Sequence, residues 1–264
     1  MTWIVAASTI YGYGALYSDV QVTFSNGTTR DLVQKAYPIS NYIAGGFAGS
    51  IKIGFKLLQS LSDYLAIPED ITESFAWNPV AVANKWAPIA KAEFESTESE
   101  EKQLGSRILL VGASPTEECG LGAKIYFIRF SSPDFEPKVM SQAIKTCSIG
   151  SGAGVIQYKH SIKPLLRLSS GIMQAEVANV DGWGLTLGYS IANTLSWYPE
   201  SGISKHIHTI IVRRGRIRIE NSDKTEYHNN GTIVEIRMPK IARSYEEFVS
   251  LTQSTGQIAA GAIC

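Results

Sequence analysis

The 264-residue sequence has few cysteines, no excess of either charge and no long apolar run. Its cysteines, Cys119, Cys147 and Cys264, are odd in number and lack CxxC spacing, which argues against a disulfide framework or a zinc site. Lysine plus arginine and aspartate plus glutamate each total 24, so no overall field attracts DNA or an anionic membrane. We therefore expect no nucleic-acid and no membrane partner.

Targeting and membrane-spanning segments are missing from the pattern as well. No window approaches the roughly 18 apolar residues of a membrane helix. The stretch from Thr2 to Ala7 is too short for a signal peptide and has no basic flank. With 44% hydrophobic and 18% charged residues, the sequence predicts one folded cytoplasmic domain over residues 1–264.

Apolar stretches between glycine turns predict strands, and helical spacing predicts several helices. Ser50 is a candidate N-cap for a first helix, and Ser244 with Glu247 forms a capping box for the closing one. Runs of strands alternate with runs of helices, which is typical of an α+β fold rather than βαβ units. Predicted strands are 3–8, 15–23, 32–39, 42–47, 107–111, 123–130, 206–220 (as a hairpin) and 231–238; predicted helices begin at Ser50, follow Gly154, and cover 182–198.

Two further patterns have ordinary interpretations. Glutamates crowd residues 92–103, and such a charge run is typical of a solvated helix or loop. His206 and His208 alternate along one strand, but two histidines without a third ligand are more often surface residues. We assign no metal and no cofactor.

The first fifty residues carry a resemblance. Thr2 precedes an apolar strand, Asp19 ends the triplet YSD, and Lys35 lies in QKAYPISNYIAGGFAGS. Together they resemble the proteasome β-subunit family of N-terminal nucleophile (Ntn) hydrolases, which includes bacterial ring peptidases. The likeness is strongest over residues 2–65 and continues in RILLVGA, AKIYFIRF and SIGSGAG, whereas residues 66–105 and 159–180 have no clear counterpart. It implies a four-layer αββα sandwich.

The resemblance also implies a catalytic set. Thr2 would be the nucleophile once Met1 is removed, with its own α-amino group as the base. Such an amine titrates near pH 7.7 to 8.0, so a useful fraction is free base near neutrality. Lys35 would place a positive charge beside the nucleophile, and Asp19 would keep Lys35 charged and oriented.

Three further positions follow from the family pattern. The N–H of Gly49 falls where the oxyanion donor is expected, and Ser151 matches a serine beside the terminal amine. The family's Asp-x-x-Ser motif is not present, so Glu200 is the nearest candidate carboxylate, with Ile203 or Ser204 in place of the serine. The hairpin before Asp19 is one residue longer than the family pattern.

Substrate and partners are implied in the same way. An apolar set would line the substrate pocket, which predicts cleavage of a peptide or unfolded protein after apolar residues. Family members form homo-oligomeric rings, some with an ATPase partner. The pocket set is Val22, Val33, Tyr37, Phe47 and Ile51.

Two other classes stay open at this point. One is a non-catalytic, proteasome-like assembly protein, although Thr2, Asp19 and Lys35 are all present. The other is an amidase or acyltransferase that uses the same sandwich on a small-molecule amide, with the two unmatched segments closing its site.

Overall fold

Antiparallel strands form most of the computed structural model, which describes residues 2–66, 78–143, 145–162, 180–220, 223–254, 256 and 259–264. The strands are β1 Ile4–Ser8, β2 Tyr13–Asp19, β3 Gln21–Thr23, β4 Thr29–Asp31, β5 Ala36–Pro38, β6 Ile43–Gly49, β7 Ser106–Cys119, β8 Gly122–Ser131, β9 Lys138–Ser141, β10 Lys145–Ile149, β11 Ile207–Arg213, β12 Arg216–Glu220, β13 Lys224–Asn229 and β14 Thr232–Arg237. The helices are α1 Ile51–Leu65, α2 Pro79–Glu95, α3 Ser99–Gln103, α4 Ile156–Ile162, α5 Val180–Trp197 and α6 Tyr245–Ser254, with a 3-10 turn at Ser151–Gly154.

Two five-stranded sheets organise these elements. The first has the order β10-β1-β2-β11-β12 and the second the order β5-β6-β7-β8-β9, while β3-β4 and β13-β14 are separate hairpins. All the pairings within both sheets are antiparallel. The predicted α+β class is confirmed, since helices and strands are segregated along the chain.

The alternation of side chains along β1 places the first sheet between two cores. Ile4 and Leu16 face the second sheet in one buried cluster. Val5 and Tyr17 face the opposite way and pack with residues of α4 and α5. Because neighbouring strand residues point to opposite faces, this double burial explains why the predicted first strand is apolar throughout.

A third cluster covers the outer face of the second sheet. The Ser50 side chain accepts a hydrogen bond from Ile53 N–H at 3.2 Å, so the predicted N-cap of α1 is confirmed. Apolar side chains spaced along one face of α1 are buried, and the Trp86 ring of α2 meets Phe130 edge-on at 5.1 Å. They include Ile51, Leu58, Leu61 and Leu65.

The turn before β2 makes a close backbone approach. Gly12 has a φ of +79°, and a Cβ there would lie 2.0 Å from the Ala123 nitrogen. A side chain at this position would therefore collide with the β7–β8 hairpin. The long first hairpin, expected near Gly12, is thus packed against the second sheet.

Several element predictions were wrong in their bounds. The predicted strand over 15–23 is interrupted at Val20, where Asp19 Oδ1 accepts the Gln21 N–H at 2.9 Å and turns the chain. Of the predicted strand 32–39, only residues 36–38 form a strand, with an isolated bridge at Val33, and β13 was not predicted. Helix α2 occupies part of the first segment without a family counterpart, while residues 67–77 and 163–179 lie outside the described residues.

The acidic stretch also differs from expectation. Its residues form the end of α2 and helix α3, but Glu101 is buried rather than solvated. Hydrogen bonds to Ser50 and Gly261 satisfy its carboxylate, which makes that burial tolerable. Among the described helices, none has both the length and the apolar content needed to cross a bilayer.

Candidate active site

The chain places Thr2, Asp19 and Lys35 in one buried contact. Lys35 Nζ donates to Thr2 Oγ1 and, at 2.7 Å, to Asp19 Oδ1. All three residues are at most 2% exposed. An ammonium and a carboxylate away from water need each other, so the ion pair fixes the cation against the threonine oxygen.

Asp19 is held by more than its lysine. Its Oδ2 accepts the Trp3 N–H at 2.8 Å, and its Oδ1 accepts the Gln21 N–H as well as the Lys35 ammonium. These donors come from the start of β1, the β2–β3 turn and the segment before β5. The carboxylate therefore links the three chain segments that surround Thr2.

The backbone of Thr2 rests in the glycine-rich turn that follows β10. Thr2 N donates to Ser151 Oγ at 3.0 Å, and Thr2 O accepts the Gly152 N–H at 3.0 Å. Gly150 has a φ of +86°, and a Cβ there would lie 2.3 Å from Thr2 O. Glycine is thus required at position 150 for the turn to come this close to Thr2. Removal of Met1 would leave a free amine beside the Ser151 hydroxyl.

The side chain of Trp3 lies on the other face of the first sheet. Its ring centroid is 4.4 Å from that of Tyr158 in α4. Gly152 passes so close that a Cβ would come within 2.5 Å of the Trp3 Cβ. Trp3 therefore packs against the turn that carries Ser151, on the side of the sheet that faces α4, and fixes its position.

Gly49 ends β6 with a φ of +108°. A Cβ at this residue would lie 2.3 Å from Gly105 O, so no other residue fits without backbone movement. Its N–H donates to Cys264 O at 2.8 Å. The predicted oxyanion donor therefore already binds a main-chain oxygen, that of Cys264.

The predicted pocket residues are together in the structure. Val22, Val33, Phe47 and Ile51 belong to one buried cluster, and Tyr37 packs against it. Cys264 belongs to the same cluster. Burial raises the pKa of its thiol to about 11, with Asp19 acting in the same direction and Lys35 opposing, so the side chain is uncharged near neutrality.

Glu200 makes no hydrogen bond to Thr2, Asp19 or Lys35 among the described residues. It is exposed, whereas Thr2 and Lys35 are fully buried. Its carbonyl accepts the Ile203 N–H at 3.2 Å, which turns the chain after α5. The carboxylate nearest to the missing motif in sequence therefore has no contact with the threonine cluster.

Ser204 forms a second cluster with Asp31 and His206. Asp31 Oδ2 accepts the Ser204 hydroxyl at 2.7 Å and lies 2.6 Å from His206 Nδ1. Burial alone would raise the pKa of Asp31, but hydrogen bonds from His206 and Ser204 and the His206 charge together lower it. The side chains of His206 and Asp31 remain about one-fifth exposed, at 20% and 21%.

The two histidines have different environments, and the prediction of two surface residues was wrong for His208. That residue is 3% exposed, and its ring nitrogens have no hydrogen-bond partner among the described residues. Burial, with the Arg243 charge as a smaller cause, lowers its pKa to about 4. Within the described part of the chain, His, Cys, Asp and Glu form no group of three that could hold a metal ion.

Sequence reasoning missed two contributors to the site. Glu101 was assigned to a solvated run, and Cys264 was considered only as a cysteine. Glu101 accepts hydrogen bonds from the Ser50 hydroxyl and from Gly261 N–H, the latter at 3.2 Å. The only advance signal was the apolar Ala-Ile pair before Cys264, which is too short to indicate a docking segment.

The chain matches no protein-family model, and a search of curated proteins finds no match.

Proposed function

We propose that the protein is a threonine-type N-terminal nucleophile hydrolase that cleaves peptide bonds through an ester on Thr2. The observation that carries the proposal is the contact of Lys35 Nζ with both Thr2 Oγ1 and Asp19 in a buried setting. A hydroxyl is a weak nucleophile until a base takes its proton, and a nearby positive charge stabilises the oxygen as that proton leaves. The lysine supplies the charge, and the threonine amine is the base.

The first step follows from the surroundings of Thr2. Removal of Met1 frees the amine, whose nitrogen lies 3.0 Å from Ser151 Oγ. As Thr2 Oγ1 bonds to the substrate carbonyl carbon, its proton passes to this amine. The amine then protonates the departing amine of the substrate, which leaves an ester between Thr2 and the acyl half.

The negative charge of the intermediate requires a donor from the other side. Gly49 N–H donates to the main-chain oxygen of Cys264 at 2.8 Å, so this N–H is accessible to an oxygen acceptor, which supports its role as the oxyanion donor. Water then attacks the ester, the amine takes its proton, and Thr2 Oγ1 regains a proton as the acid product leaves. Lys35 Nζ contacts Thr2 Oγ1 and stabilises the threonine oxygen.

The finer fold and the assembly belong to the same proposal. Two sheets with a shared core and helices packed on both outer faces support a four-layer αββα sandwich. A peptide or unfolded protein would be the substrate, inside a homo-oligomeric ring; some members of the family that the sequence resembles work with an ATPase partner. The apolar cluster around Phe47 favours cleavage after apolar residues.

The decisive experiment combines intact mass with active-site labelling. We expect the protein from its native host to lack Met1 and to react with an epoxyketone or β-lactone probe at Thr2. Thr2→Ala abolishes labelling because it removes the reacting oxygen, whereas Thr2→Ser retains it. Labelling that persists in Thr2→Ala would place the nucleophile elsewhere.

The same measurement separates the alternatives. A retained Met1 with no labelling contradicts hydrolysis and favours the assembly protein. Labelling at Thr2 without turnover of any fluorogenic peptide favours a small-molecule amidase. Equal turnover of acidic, basic and apolar peptides contradicts the apolar preference alone.

A further inference from the structure

The last residues of the sequence lie as a short strand between β3 and the end of β6. Thr23 N–H donates to Ile263 O at 2.9 Å, and Ile263 N–H donates to Thr23 O at 3.0 Å. Isolated bridges pair Ile263 antiparallel with both Thr23 and Ser50. This segment, Ala262–Cys264, thus completes a gap between two strands that do not pair with each other.

On the β6 side, the contacts include the backbone of Gly49, the proposed oxyanion donor. Cys264 N–H donates to Gly49 O at 3.0 Å, and Ile51 N–H donates to Ala262 O at 3.4 Å. The Gly49 N–H, in turn, is committed to Cys264 O. A substrate carbonyl that needs Gly49 N–H must therefore replace the main-chain oxygen of Cys264.

The side chain of Cys264 packs in the same buried cluster as the predicted pocket residues. Its Sγ lies 3.5 Å from Gly49 O and 3.8 Å from Phe47 O, and the residue is 6% exposed. Lys35 and Asp19 are near enough to act electrostatically on the thiol. The segment therefore takes both the hydrogen bonds and the side-chain space of a bound peptide.

An anchor outside the gap holds the segment. Gly261 N–H donates to Glu101 Oε1, while the other oxygen of Glu101 binds the Ser50 hydroxyl. Ala262 N–H also closes a turn onto Ala259 O at 3.3 Å. Because the segment is part of the same chain, its effective concentration at the gap is of millimolar order, so free peptides compete at a disadvantage.

We infer that Ala262–Cys264 is a built-in occupant of a groove that binds extended peptides as an antiparallel strand, and that a substrate reaches Thr2 only after this segment leaves. The part of this inference that concerns a substrate reaching Thr2 rests on the proposed function. Binding of a peptide in the groove does not depend on hydrolysis. The two claims can therefore fail separately.

The test measures binding in a Thr2→Ala background, where no peptide is consumed. The probe is an N-terminally fluorescein-labelled peptide Gly-Ala-Ile-Cys under reducing conditions, followed by fluorescence anisotropy. Ile263→Pro removes the N–H that Thr23 O accepts, while the matched control Ile263→Val keeps it. A second variant lacks residues 262–264.

We expect the proline and deletion variants to bind the probe at least tenfold more tightly than the parent and the valine control. Hydrogen exchange supplies a second readout, because the Thr23 and Gly49 amides should lose protection in Ile263→Pro and regain it when the probe is added. A folded, exchange-protected core in each variant shows that a negative result is not due to unfolding.

Equal probe affinity in all four proteins overturns the inference, and so does a folded deletion variant that binds no probe. In proteins with Thr2 restored, peptide KM should fall in Ile263→Pro while kcat stays unchanged, since the segment competes with substrate. Absence of hydrolysis with intact probe binding counts against the proposed function and leaves the inference standing.

Discussion

Two clusters of the molecule combine a hydroxyl, a basic group and a carboxylate, but they do so at different depths. Thr2, Lys35 and Asp19 are buried, whereas His206 and Asp31, the partners of Ser204, remain about one-fifth exposed. The first cluster interacts where water does not screen its charges. The second is partly screened, so its charges contribute less.

The connectivity differs as well as the depth. In a hydrolytic triad the histidine bridges the hydroxyl and the carboxylate through two different ring nitrogens. Here Ser204 Oγ and His206 Nδ1 both meet Asp31 Oδ2, and the two lie 3.2 Å from each other. This arrangement positions a loop and does not activate the Ser204 hydroxyl. In the buried cluster, by contrast, Lys35 lies between the Thr2 hydroxyl and the Asp19 carboxylate.

Loss of the buried cation should have the largest effect. Lys35→Met keeps much of the side-chain volume but leaves the Asp19 carboxylate buried without its ion pair, which costs about 3–5 kcal/mol. We also expect no probe labelling at Thr2. Chemical denaturation measures the first effect and intact mass the second; His206→Gln is the exposed-cluster control, and a comparable loss there would contradict the contrast.

A double substitution sharpens the same contrast. Replacing Lys35 by Met and Asp19 by Leu removes both charges, so the free energy of unfolding should recover part of the single-variant loss. Recovery stays incomplete because Trp3 and Gln21 N–H lose their acceptor. Activity does not return. Additive losses in a double-mutant cycle would show that the pair is not coupled.

His208, buried in the strand that follows His206, should make the stability of the protein depend on pH. Its pKa of about 4 in the fold is below the unfolded value of about 6.5, so the unfolded chain binds the extra proton first. The contribution of the neutral His208 ring to the free energy of unfolding is fully present above pH 6.5. It falls by on the order of 2–3 kcal/mol as the pH drops towards 4. Denaturation at stepped pH should show this slope, and His208→Leu should flatten it.

Asp31 should give the smallest effect. Asp31→Asn weakens the contact with His206, and a partly exposed ion pair is worth about 0–1 kcal/mol. Because its pKa is lowered in the fold, the contribution is present above the unfolded value of about 3.9 and is lost as the pH falls through the folded value. Denaturation at pH 7 and near pH 3 should show the difference shrinking; a loss above 2 kcal/mol would remove the distinction between the clusters.

The parts of the site that could be predicted from sequence lie within hairpins and turns. Asp19, Lys35 and Gly49 are placed by short strands, and Ser50 caps the helix that follows, so local spacing carries the information. Cys264 and Glu101 could not be foreseen because their contacts join distant parts of the chain. Glu101 sits in a run of glutamates that all read as solvated, and only the folded chain shows which one turns inward.

Glu200 was misplaced for a related reason. Proximity in sequence to a missing motif says nothing about the direction of a side chain after a helix ends. Asp31 meets Ser204 and His206 from far along the chain, a pairing that only strand assembly creates. Fold class follows from the order of elements, whereas side-chain clusters depend on which strands become neighbours.

The alternation of side chains at the start of β1 determines which residue contacts Lys35. Thr2 meets Lys35 on one side of the backbone, and Trp3 stacks on Tyr158 on the other. A shift of one residue against β2 or β10 would exchange the two, bringing an indole to the ammonium and a hydroxyl to the helix. The packing of Trp3 against Tyr158 therefore fixes the register that decides which side chain contacts the lysine.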